Sequence, residues 1–121
     1  MIPVDWTEYR RADDDELLGY LRASAGGVEA VTLFGYPIGE AATSIDAERY
    51  LDALGLSYLS ERWMLTLDGR TEPVTVQLVE ATPALLTLKS VDYGFEGDYG
   101  TAFTLEVPVD TARLRPERPL R

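Results

Sequence analysis

The chain has 121 residues, with 11 Lys+Arg against 21 Asp+Glu for a net charge of −10, and neither cysteine nor histidine. That length suits a single domain able to bury its own core. The absent residue types exclude disulfides, thiolate chemistry, histidine-based triads and His- or Cys-ligated metals.

The negative charge sets the chain against phosphate backbones and anionic lipid surfaces, which need neutralising Lys and Arg, so neither nucleic acid nor membrane is an expected partner. Hydrophobic residues make up 45% and charged residues 26%, a globular balance. No apolar run is long enough to span a bilayer, and the start Met-Ile-Pro-Val-Asp-Trp lacks a basic region followed by a hydrophobic one. A bacterial protein of the cytoplasm is the expectation.

Residues 4–11 alternate Val4 and Trp6 against Thr7, Tyr9 and Arg11, a short first strand broken by Asp13-Asp14-Asp15-Glu16. The run 17–24 reads two ways. Asp13 and Glu16 could cap a helix, but Gly19 inside it would cost about 1 kcal/mol relative to alanine. As a strand it alternates Leu17-Gly19-Leu21-Ala23 with Leu18-Tyr20-Arg22-Ser24. Ala25-Gly26-Gly27 then offers a turn into the strand formers of 28–34, so a hairpin is preferred. Gly35-Tyr36-Pro37-Ile38-Gly39 reads as a connecting loop, lacking the lysine and third glycine of phosphate-binding motifs.

A helix follows from Thr43 or Ser44. Ala47, Tyr50, Leu51 and Leu54 form its apolar stripe, and Gly55 stops it in a conformation that favours glycine. The period then changes to two. Trp63, Leu65 and Leu67 share a face, Asp68-Gly69 signals a turn, and 71–80 returns with Val74, Val76 and Leu78 on one side. A connection of two or four residues would keep these sets together, since a one-residue slip inverts a strand. Leu86 and Leu88 join the same face only through an odd loop, read as Ala81-Thr82-Pro83. Phe103, Leu105 and Val107 make a last strand ending at Pro108.

The fold class expected is α+β. It has an antiparallel sheet of about six or seven strands in meander order, free to curl, with one principal helix over the meander's apolar face. Residues 1–112 form one domain in this reading, and 113–121 a basic, proline-containing tail that is frayed or loosely laid on the body.

Three places could carry function. The stretch 92–100 repeats Asp-Tyr-Gly and presents Asp92, Tyr93, Phe95, Glu96, Asp98 and Tyr99, a pattern suited to protein recognition or, by its oxygen ligands, to a divalent cation without EF-hand spacing. The run 13–16 concentrates carboxylates. Arg113, Arg115, Arg118 and Arg121 against Glu117 give the tail +3, leaving −13 elsewhere.

No catalytic set, metal site or cofactor is assigned. The leading expectation is a non-enzymatic protein-interaction or accessory domain, able to self-associate through a sheet edge. The alternatives are an acidic, immunity-type inhibitor of a basic partner and a small enzyme using two of Asp92, Glu96, Asp98 and an acidic residue from elsewhere in the chain.

Overall fold

The computed structural model describes residues 1–94 and 99–120. Two antiparallel sheets and one α-helix make up the described chain, an α+β architecture without a closed barrel. The first sheet joins β1 (Thr7–Arg10), β2 (Leu17–Ser24), β3 (Gly27–Val31) and β4 (Pro37–Ala41) in sequence order. The helix α1 (Ser44–Leu54) and a single 3-10 turn (Ser57–Leu59) lead into the second sheet. That sheet contains β5 (Arg62–Leu65), β6 (Val74–Ala81), β7 (Leu85–Ser90), β8 (Ala102–Glu106) and β9 (Leu114–Pro116), ordered β8-β7-β6-β5-β9. The expected single sheet of six or seven strands is therefore two sheets.

The hairpin over 17–31 forms, with Leu21 opposite Ala30 and Tyr20 opposite Val31. Gly19 has a packing reason to be there: a Cβ would clash with the Val31 carbonyl and lie 2.9 Å from Leu51 Cδ2 on α1. The loop expected at 35–39 is corrected. Its second half is β4, an edge strand that Pro37 can open because an edge position leaves its missing N–H unneeded.

α1 has the cap and the stop its sequence implies. The Thr43 Oγ1 accepts from the Asp46 N–H at 3.2 Å, and Gly55, at φ 57°, donates its N–H to the Leu51 carbonyl at 2.8 Å. Its partner differs from expectation. α1 packs on β2, β3 and β4, burying Ala47 and Leu51 with Leu18, Leu21, Ala30 and Ile38. The 62–88 meander instead buries its inner face against Phe34, Tyr58, Val107 and Val109. Both sheets offered an apolar face; the short connection from β4 to α1 keeps the helix on the first. Tyr9 ties β1 to this layer, its hydroxyl donating to the Asp52 carboxylate at 2.9 Å; burial and that carboxylate push the phenol up to about 12.

Both loop parities can be read from the registers. Trp63 faces Val76 and Leu65 faces Val74, so the connection is even, but it spans the eight residues 66–73 rather than two or four. The Asp68-Gly69 turn exists, with the Arg70 N–H donating to the Leu67 carbonyl, while Pro73 delays the return strand. Leu88 faces Leu78 with odd spacing, as expected, yet the tight turn pairs Ala81 with Leu86 and is even. A bulge at Val79 changes the parity and leaves that valine 57% exposed.

The expected tail is also corrected. Leu114, Arg115 and Pro116 pair with Leu65, Met64 and Trp63; Leu114 is fully buried, and Leu120 packs against the same core. Leu114 anchors the strand in the core beside β5, and Pro116 is tolerated because β9 lies at the sheet edge.

An aromatic knot joins the sheets. The buried Tyr58 hydroxyl donates to the Leu18 carbonyl of β2 at 2.9 Å and accepts from the Leu33 N–H at 3.1 Å. The Trp63 indole donates to the Tyr58 carbonyl at 3.1 Å, and Phe34 meets the Tyr58 and Trp63 rings edge-on at 5.7 and 5.2 Å. Tyr58→Phe orphans a buried donor and acceptor at once, so a stability loss of about 2 kcal/mol or more is expected by urea denaturation. Leu114→Ala should cost about 2–5 kcal/mol in the same measurement, whereas a loosely laid tail would leave the midpoint unchanged.

Candidate functional site

The 92–100 connection starts from a fixed point. Asp92 follows β7, and its carboxylate accepts the Thr75 N–H on Oδ2 at 3.1 Å and the Gly94 N–H on Oδ1 at 2.9 Å, while its own N–H reaches Ser90 Oγ at 3.3 Å. The Thr75 and Gly94 hydrogen bonds hold the carboxyl below the usual aspartate range. Both oxygens thus accept a backbone N–H, which makes Asp92 a fastening between β6 and the loop mouth.

Tyr93 and Tyr99 stand on either side of 95–98, 88% and 53% exposed. Their rings stack at 4.7 Å between centroids and 18° between planes. Two phenol rings turned to solvent and braced on each other form a flat amphipathic platform with little side-chain freedom left to lose. Phe95, Glu96 and Asp98, the other residues of the sequence pattern, lie outside the described residues.

The other two candidates serve local structure. Arg11 clasps the Asp14 carboxylate with two hydrogen bonds of 3.0 and 2.9 Å, which holds the Asp14 carboxyl down, and Asp15 adopts φ 58° in the same turn. The run 13–16 therefore builds the β1–β2 corner. Among the described residues no three carboxylates gather as a metal site would need. Of the tail arginines, Arg115 and Arg118 are exposed, Arg121 is outside the described residues, and Arg113 lines a cleft.

That cleft was not visible in the sequence. It has a volume of about 320 Å³ and lies where β8 runs into the segment crossing to β9, lined by Thr104, Leu105, Glu106, Pro108, Asp110 and Arg113. No motif links Glu106 with Asp110 and Arg113; only the crossing from one edge of the second sheet to the other brings them together. A second feature beyond sequence reading is the outer face of the first sheet. There Arg22 lies 5.0 Å over the Trp6 ring and pairs with Glu29 at 2.5 Å.

No family model matches the chain, and no curated protein or solved structure shows significant similarity to it. No helix among the described residues is long and apolar enough to cross a membrane.

The Asp92 fastening gives a pH-dependent expectation. A carboxyl with a depressed folded-state pKa adds stability that is fully present above its unfolded value of 3.8 and lost as pH falls through the lower folded value. Asp92→Asn should therefore be less stable than the parent chain at pH 7, and the gap should narrow below pH 3.8 in denaturation midpoints measured across pH. A gap independent of pH would show that the charge on Asp92 does not matter.

Proposed function

We propose that this is a non-enzymatic protein-binding domain that uses the Tyr93–Tyr99 platform to hold a basic protein partner. The carrying observation is the exposed stack of two tyrosines in the connection between β7 and β8. Rings of this size and rigidity supply most of the binding energy in many protein interfaces, at low cost in conformational entropy. The net charge of −10 supports a basic partner, because a surface of one sign raises the encounter rate with the opposite sign and disfavours like-charged competitors. An acidic inhibitor that neutralises a basic enzyme is a special case of this reading, favoured by the same charge.

The test is affinity capture from the source cells with the immobilised full chain, comparing the parent with a Tyr93→Ala/Tyr99→Ala double variant. A basic protein should be recovered by the parent and reduced about tenfold or more by the double variant, since truncating an interface aromatic commonly costs over 1 kcal/mol. Recovery should also fall as salt rises from about 0.05 to about 0.5 M. An unchanged set of captured proteins overturns the reading. For the inhibitor case, the recovered partner should be an enzyme whose activity drops on addition of the parent chain and not of the double variant.

A further inference from the structure

The two sheets leave four edges, and three of them are blunted. β1 carries a register shift between Tyr9 and Arg10 and ends on that arginine. β4 opens on Pro37 opposite a second irregularity, between Ala30 and Val31. β9 has three residues and closes on Pro116. Shortness, bulges, prolines and basic side chains are the usual means of keeping an edge from pairing with another chain.

β8 has none of them. Its five residues Ala-Phe-Thr-Leu-Glu pair with β7 in unbroken register from Lys89–Ala102 to Leu85–Glu106. The Thr101 carbonyl accepts from the Ser90 N–H, and the Val107 N–H donates to the Ala84 carbonyl, so the odd-numbered residues turn their backbone groups toward β7. Ala102, Thr104 and Glu106 consequently present three N–H and three C=O groups to the open side, in the regular spacing that an added strand requires.

The side chains along this edge say what kind of strand fits. Leu105 is buried and Phe103 partly buried against the core, so the inner face calls for apolar residues on alternate positions. Ala102, Thr104 and Glu106 are exposed on the other face, and Glu106 lines the cleft with Asp110 and Arg113, two carboxylates against one guanidinium. We infer that the basic partner docks as an extended segment added antiparallel to β8, apolar residues beside Phe103 and Leu105, and a Lys or Arg set against Glu106 and Asp110. This inference rests on the proposed protein-binding reading and names its mode. A second copy of this chain is the poorer occupant, because pairing two such edges brings together two bodies of charge −10.

The experiment uses the full chain and a blocked hexapeptide, acetyl-Lys-Val-Lys-Val-Lys-Val-amide, with a Glu-for-Lys counterpart as control. Amide exchange is read by NMR. The lysine peptide should slow exchange of the Ala102, Thr104 and Glu106 amides by about tenfold, while the glutamate peptide leaves them unchanged.

Thr104→Pro removes an outward N–H that the fold does not use, so it should keep the parent's denaturation midpoint and lose the protection. Glu106→Lys, which keeps every backbone donor, should lose it through charge alone. No slowing with the lysine peptide, or equal slowing with the glutamate peptide, overturns the inference. So does protection of the same three amides without peptide in a sample that sediments as a dimer. If Thr104→Pro leaves partner capture intact while the double tyrosine variant abolishes it, the strand-addition mode fails and the protein-binding reading stands. If neither change alters capture, both fail.

Discussion

The Tyr58 hydroxyl is the contact on which the arrangement of the two sheets depends. One buried oxygen serves the β2 carbonyl of Leu18 and the N–H of Leu33, in the turn between β3 and β4 of the first sheet. Inside a low-dielectric core such a bond is strong, and losing it would leave two polar groups with no water to replace it. The ring around that oxygen packs edge-on with Phe34, whose other neighbour is Trp63 of β5. Polar and aromatic contacts therefore hold the same seam. Burial also pushes the phenol well above its ordinary range, so the hydroxyl keeps its proton, and with it the donor to Leu18, at any physiological pH.

That seam explains how one short helix serves the nine strands of the described residues. α1 covers only the first sheet, but Leu54 and Leu56 at its C-terminal end pack against both hydrophobic clusters. The second sheet finds its cover in the 32–36 turn, the 3-10 segment and the crossing through Val107 and Val109. The Val109 N–H donates to the Phe34 carbonyl at 3.0 Å, which locks the crossing to that turn. With the core closed by irregular segments, the crossing is placed beside β8 and the cleft at Glu106 is formed as a by-product. The loop mouth at Asp92, the tyrosine platform and the β8 edge all belong to the same β7–β8 hairpin.

Much of the fold was legible because local rules and global packing agree in it. Thr43 and Gly55 bound the helix, Gly19 argued for a strand at 17–24, and the apolar alternation of Trp63, Leu65, Val74 and Val76 required the even connection that is found. Where the reading erred, the residues were locally ambiguous. Pro37 and Pro116 look like strand breakers, and only an edge position, a tertiary property, makes them acceptable. Val79 gives no sign of being the bulge that reconciles an even turn with an odd spacing. The loop at 92–100 stood out by composition, and the geometry divides its described residues: Asp92 fastens the structure, and Tyr93 and Tyr99 face solvent.

The sequence by itself determined the class, α+β, through its periods and stops, and the chemistry withheld from the chain, since absent histidine and cysteine cannot be supplied by folding. Only the tertiary structure decided that the strands divide into two sheets, that the helix belongs to the first, and that β9 closes the second. It alone decided which edge stays open. The physical reason is that an apolar face specifies burial without naming its partner: the alternation in 62–88 would have accepted the helix or the aromatic knot. The choice fell to contacts between residues far apart in the chain, of which the Tyr58–Leu18 bond, 40 residues across, is the clearest.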